Sequence, residues 1–157
     1  MAQSGLKWSQ VGLRGSHEAK IDDKGRLKVP SQFRELVEPR HGTVFFITSL
    51  DGETARVYPM PEWEAIELRI AAMPSTDPTR ERFLHLVNYY GQTVEMDNQG
   101  RVLIPARLRT AADLTGDVDV QGHVTYLVVL NRERSQARTQ ASLLSTEDKG
   151  RLTAFGI

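Results

Sequence analysis

No cysteine occurs among the 157 residues, so a disulfide framework, a thiolate metal site and a thiol nucleophile are all excluded. Nowhere do apolar residues run together for the roughly eighteen positions that a membrane-spanning helix needs. The opening residues, MAQSGLKWSQ, lack the apolar stretch of a signal peptide, which argues against export. Net charge is also missing, since 20 basic residues face 20 acidic ones. The four histidines, His17, His41, His85 and His123, show no metal-ligand spacing, and no acidic pair clusters with them. They read as solvated or structural side chains. Neither a glycine-rich phosphate loop nor a Gly-x-Ser-x-Gly elbow is present. The expectation is a protein that is not an enzyme and has no catalytic residues, bound metal or cofactor.

What remains is an apolar fraction of 39% with 25% charge, the balance of a soluble, folded protein rather than a disordered one. With neither cysteine nor signal peptide, the expected location is the cytoplasm. At 17.7 kDa the chain can form one ordinary domain or two very small ones. The charge is unevenly placed. From Arg14 to Arg34, six basic residues (Arg14, Lys20, Lys24, Arg26, Lys28, Arg34) face only Glu18, Asp22 and Asp23. From Asp51 to Arg82, seven acids outnumber four bases. A basic N-terminal segment is thus followed by an acidic middle.

The chain contains an internal repeat. Ile21–Leu36 (IDDKGRLKVPSQFREL) superposes on Met96–Ala111 (MDNQGRVLIPARLRTA) at a constant offset of 75. Asp22 matches Asp97, Gly25 matches Gly100, Arg26 matches Arg101, Pro30 matches Pro105 and Arg34 matches Arg109. Leu27/Val102, Val29/Ile104 and Phe33/Leu108 keep their apolar character. Chance supplies about one identity in such a window.

Each copy reads as strand, turn, strand and short helix. Ala19 and Ile21 alternate with Glu18 and Lys20, as Val94 and Met96 alternate with Thr93 and Glu95, the period of a half-buried strand. Asp22 and Asp97 open a turn whose backbone N–H groups their carboxylates can bond, and Gly25 and Gly100 supply the positive φ that ends it. Pro30 and Pro105 stop the second strand, and Ser31 is positioned to cap the first helix. Further short β runs are expected at 43–48, 56–58, 118–120 and 125–130. Between the copies, Pro61 opens a helix with a Trp63, Ile66, Ile70, Met73 stripe. Asp77 caps a second helix, with Phe83, Leu86, Val87 and Tyr90 on one face. These stripes serve either core packing or a subunit interface. Beyond Arg134 the chain is polar and weakly periodic, the pattern of a mobile or loosely docked tail. The string Asp148–Leu152 there repeats Asp23–Leu27 letter for letter, with no following strand, proline or helix.

A unit of about forty residues cannot bury enough apolar surface to fold alone. The two copies must therefore share a core, presenting both charged turns together. The expected fold is α+β: two tandem hairpin–helix units around one pseudo-twofold, barrel-like core, with a two-helix insert. The expected organisation is an N-terminal extension over 1–12, a first unit over 13–61, an insert over 62–90, a second unit over 91–134 and a polar tail over 135–157.

The paired Asp-x-x-Gly-Arg turns, each followed by a proline, a short helix and an arginine, and separated by Tyr58–Trp63 (YPMPEW), resemble the MraZ family. Its members are bacterial transcriptional regulators built from two AbrB-type swapped-hairpin units. The resemblance covers about Leu13 to Glu133. It implies a nucleoid-associated DNA binder, a ring-shaped homo-oligomer on repeated promoter boxes, and control of the division and cell-wall gene cluster. The family's DNA contacts fall here on Arg26, Arg101 and neighbouring bases. One departure concerns the last strand, where family members usually carry a tryptophan and Tyr126–Leu130 reads YLVVL.

A two-stranded ribbon fits the major groove, where arginine can grip guanine O6 and N7 with both arms. Arg14, Lys20, Lys24, Arg26, Lys28 and Arg101 are the candidate contacts to double-stranded DNA; Asp22, Gly25, Asp97 and Gly100 form the turns. Arg26 can instead pair with Asp22 to lock its turn, a surface contact worth at most about 1 kcal/mol. Arg34 and Arg109 are equally open to DNA contact or a structural role. The copies differ, because Lys20, Lys24 and Lys28 correspond to Glu95, Gln99 and Leu103. The first copy is therefore expected to supply most of the electrostatic attraction. An alternative function is an AbrB-like antitoxin whose tail masks a toxin, although such antitoxins usually carry one copy per chain.

Overall fold

Alternating burial along SHEAKI, with Ile21 turned fully inward, makes Ser16–Ile21 the first strand, β1. A four-residue turn leads into Arg26–Lys28 (β2), whose Leu27 is completely buried. Pro30, at φ −53 and ψ 136, halts β2 and is itself the N-cap of Ser31–His41 (α1). The expected Ser31 cap is thus corrected: Ser31 is already helical, and α1 has no side-chain cap bond. The proline ring fixes φ near the extended value an N-cap needs, so the helix starts one residue early. Val44–Thr48 (β3) and Ala55–Pro59 (β4) follow. The insert is Met60–Ala71 (α2) and Pro78–Tyr90 (α3). Asp77 caps α3 as expected, its carboxylate accepting from Thr79 N at 2.8 Å. The second copy supplies Gln92–Glu95 (β5), Arg101–Leu103 (β6), Ala106–Ala112 (α4), Gly116–Gly122 (β7) and Leu127–Asn131 (β8). The structure describes residues 12–157 in a computed structural model, so the expected extension lies outside the described residues apart from Gly12.

All eight strands form one antiparallel sheet in the order β5-β3-β4-β8-β7-β1-β2-β6. Its edge strands, β5 and β6, are joined by the second turn, where Asp97 N donates to Arg101 O at 3.0 Å. The sheet is therefore a nearly closed barrel. Exchanging the copies, β1 with β5, β2 with β6, β3 with β7 and β4 with β8, returns the same cyclic order, which is the pseudo-twofold the repeat implied. The copies interleave rather than stand side by side: β2 pairs with β6, β1 with β7, β3 with β5 and β4 with β8.

The barrel interior draws on both copies. Leu27, Ile47 and Val57 from the first meet Val102, Ile104, Leu108, Val118 and Val129 from the second, all at 0% exposure. The insert covers the outside of β3 and β4, where Trp63 stacks on Phe46 at 4.5 Å between ring centres and lies 5.0 Å from Tyr58. Of the two roles open to the helical stripes, core packing is the one Trp63 and Val87 fill. The YLVVL strand needs no tryptophan. β8 sits between β4 and β7 with Leu127–Leu130 all buried, and Tyr126 stacks on Tyr58 at 4.7 Å.

The polar C-terminal segment is helical. Asn131 caps Arg132–Ala141 (α5), and Ser145 with Asp148 forms a reciprocal capping box on Thr146–Thr153 (α6). Arg132 ties α5 to the barrel through Asp119 at 3.4 Å, Asp117 at 3.6 Å and Glu18 at 3.9 Å. No residue of α6 is buried.

A core shared between copies makes one testable demand. Leu108→Ala, in the second copy alone, should lower the unfolding free energy of the whole chain by about 2–5 kcal/mol in a single cooperative urea transition. Two separate transitions would contradict the interleaved core.

Candidate nucleic-acid interface

The two turns are built alike to within a few tenths of an ångström. Asp22 Oδ1 accepts from the backbone N–H groups of Lys24 at 3.0 Å and Arg26 at 2.9 Å, while Oδ2 accepts from Arg26 Nε at 2.8 Å. Asp97 Oδ1 accepts from Gln99 and Arg101 N–H, both at 2.9 Å, and Oδ2 from Arg101 Nε at 2.8 Å. Gly25 and Gly100 close them at φ 85 and φ 76. Donors converging on each carboxylate favour its charged form. The Arg26 backbone N–H is the main cause of the lowered pKa of Asp22. Its Arg101 counterpart does most to hold Asp97 down to about 2. A folded pKa below the unfolded one means that this stabilisation is complete above the ordinary carboxylate value of about 4. It fades only as the pH falls through the folded value, so both turns keep it at neutral pH.

Each turn is also braced by the opposite copy. The Arg109 guanidinium lies where a Cβ on Gly25 would stand, and Arg34 Nη1 would be 3.0 Å from a Cβ on Gly100. Arg34 Nη2 donates to Asn98 O at 3.3 Å inside the second turn, and Arg109 Nε to Ile104 O at 3.0 Å. Of the two roles open to these arginines, the structural one is filled: they pack the turns. The sequence signal was the arginine four residues beyond each proline, present in both copies.

The turns flank the β2–β6 pair. Val29 N donates to Gly100 O, and Ile104 N to Gly25 O, both at 2.9 Å, so a turn stands at each end of the short ribbon. Four steps of extended chain lead from Gly25 to Val29, which puts the turns roughly 13 Å apart. Register places Arg26 opposite Leu103, Leu27 opposite Val102 and Lys28 opposite Arg101. With Leu27 and Val102 facing the core, Arg26, Lys28, Arg101 and Leu103 share the outer face. Arg26 and Arg101 are 30% and 26% exposed, and each is held through Nε. Among the described residues no protein group accepts from their Nη atoms. Pairing with the turn aspartate through Nε and offering Nη donors to a ligand are therefore compatible roles for one guanidinium. Lys28 Nζ donates to the Gln99 carbonyl of the second turn.

The remaining candidates are spread more widely. Lys24 is exposed in the first turn. Lys20, also exposed, stands across from Asp117, where β1 and β7 begin an acidic strip of Glu18, Asp117 and Asp119 around Arg132. Arg14 is eight residues before Asp22, beyond the far end of β1 and roughly 26 Å from the turn; the structure does not bring it to the β2–β6 face. The acidic insert packs on β3 and β4, and β4 lies four strands from β2 in either direction round the barrel. No helix among the described residues is long and apolar enough to cross a membrane.

Fold and face together define a tandem-repeat α+β barrel with two matched, arginine-bearing turns on one ribbon. Comparison with known proteins agrees with that class. The family model of the MraZ protein, antitoxin-like by its description, matches residues 13–86 and again 91–153. The transcriptional regulator MraZ of Koribacter versatilis is 48% identical over 146 residues, covering 92% of this chain and 99% of its own. That of Acidobacterium capsulatum is 46% identical over 145 residues, with the same coverage of 92% and 99%. That of Neisseria meningitidis serogroup A is 32% identical over 136 residues, covering 86% and 90%. The chain belongs to the MraZ family, whose named relatives are transcriptional regulators.

The bracing can be tested with glycine substitutions. Gly25→Ala should cost clearly more than Gly116→Ala. Both pay about 1–2 kcal/mol for an L residue at positive φ, but only the former must displace the Arg109 guanidinium, since nothing stands near Gly116. Equal losses in thermal unfolding would contradict the brace.

Proposed function

We propose that this chain is a sequence-specific DNA-binding transcriptional regulator of the division and cell-wall gene cluster, acting in the nucleoid as a ring-shaped homo-oligomer on repeated promoter boxes. The observation that carries the reading is the β2–β6 face: two partly exposed guanidinium groups, each fixed through Nε by its turn aspartate, with lysine alongside. A ribbon of this width enters the major groove, and a pre-oriented arginine loses little freedom on gripping a guanine edge. Lys24, Lys28 and Lys20 supply phosphate contacts that set register without reading sequence. Arg14, far from this ribbon, would meet phosphates on a neighbouring stretch of duplex.

One pair of turns spans few base pairs, and a chain with zero net charge gains little long-range attraction. Several copies joined in a ring raise the effective concentration of each further ribbon once the first is bound, which suits direct repeats. Leu143, Leu144, Phe155 and Ile157, at 72%, 55%, 83% and 79% exposure, offer apolar surface for a neighbouring copy.

Band shifts on DNA from upstream of the protein's own gene test this directly. Arg26→Ala should weaken binding by about 1–3 kcal/mol, and Lys24→Ala should flatten the salt dependence by about one unit of slope. Binding unaffected by Arg26→Ala, or a monomer by light scattering at micromolar concentration, would refute the proposal.

A further inference from the structure

Three of the four outward side chains on the β2–β6 face are cationic; the fourth is Leu103, 42% exposed. An exposed leucine by itself is unremarkable, and Leu68 at 75% stands on the surface of the insert. Leu103 differs in its neighbours. It lies directly across from Arg26, and it is two positions along the same strand from Arg101. The repeat makes it the counterpart of Lys28, whose ammonium reaches the Gln99 carbonyl of the opposite turn. Leu103 has no donor with which to repeat that contact, so neither turn bracing nor phosphate attraction accounts for its side chain.

We propose that Leu103 is a base-reading residue whose side chain packs on the C5-methyl group of a thymine in the major groove, beside the guanine gripped by Arg26. This rests on the reading of the β2–β6 face as the DNA-binding surface. Thymine is the one unmodified base that presents an apolar group in that groove. Against a guanine or cytosine edge the leucine would strip water from polar atoms and return no hydrogen bond. Cross-strand partners in an antiparallel pair stand about 4.5–5.5 Å apart, against a base-pair rise of about 3.4 Å. The thymine is therefore within one or two steps of the guanine. The substitution of leucine for lysine also breaks the pseudo-twofold of the face. One half carries arginine and lysine, the other arginine and leucine, which gives each ribbon a direction on the duplex and favours direct over inverted repeats.

The test amplifies the fragment upstream of the protein's own coding sequence once with dTTP and once with dUTP. Uracil lacks only the methyl group, and amplified DNA contains no methylated cytosine. The full-length chain, its Leu103→Ala and Leu103→Lys variants, and Arg26→Ala are titrated against both fragments. The unaltered protein should bind the uracil fragment about fourfold more weakly, the worth of one buried methyl. Leu103→Ala should bind both fragments equally, at the weaker level. Leu103→Lys should bind both more tightly at low salt, with a steeper salt slope and no discrimination. If Arg26→Ala loses affinity while the unaltered protein treats the two fragments alike, the leucine contact is overturned and the DNA-binding face stands. Discrimination that persists in Leu103→Ala overturns the contact as well. Failure of the unaltered protein to bind either fragment overturns both.

Discussion

An aspartate carboxylate that accepts two backbone N–H groups and an arginine Nε holds each of the two turns in shape. The bond to Arg26 N–H closes the first turn, and the bond to Arg26 Nε fixes where the guanidinium points. The same pair of bonds recurs at Asp97 and Arg101. A glycine is obligatory beside it for two separate reasons. The backbone there has positive φ, and the opposite helix lays an arginine across the place a side chain would occupy. Turn, glycine and crossing arginine form one mutually dependent set, and the dependence runs between copies.

That cross-dependence follows from size. Neither hairpin–helix unit has enough apolar surface to fold alone, so each completes its sheet with strands of the other. Pairing β2 with β6 joins the two hairpins so that their turns stand at opposite ends of one short ribbon. The candidate face is therefore a product of the core. Four outward residues are aligned because Leu27 and Val102 are locked inward at 0% exposure.

The repeat, the turns, the proline stops and the pseudo-twofold barrel were legible because each depends on residues close together in sequence or on a simple area argument. Less was legible where distant parts meet. Arg34 and Arg109 stayed ambiguous because their partners are some 65 to 85 residues away, in the opposite turn. Ser31 misled because a serine before a helix usually caps it, whereas here the preceding proline had already set the geometry. The pentapeptide DKGRL shows the limit of local reading. After Asp22 it bends through Gly25 at φ 85 into a strand. After Ser145 and Glu147 the same letters run as helix, with Asp148 completing a capping box. Aspartate rather than glutamate at the preceding position, and the presence or absence of a serine cap, separate the two outcomes.

Charge distribution adds the last constraint. The cationic ribbon is bounded on one side by Glu18, Asp117 and Asp119, while the acidic insert sits across the barrel. Under the proposed function, a duplex docks on this ribbon. A structure of the protein bound to DNA from its own promoter addresses this most directly. The Arg26 and Arg101 guanidinium groups should lie in the major groove with their Nε bonds to Asp22 and Asp97 intact. Finding both arginines covered by a neighbouring subunit, with the duplex on another face, would contradict the reading.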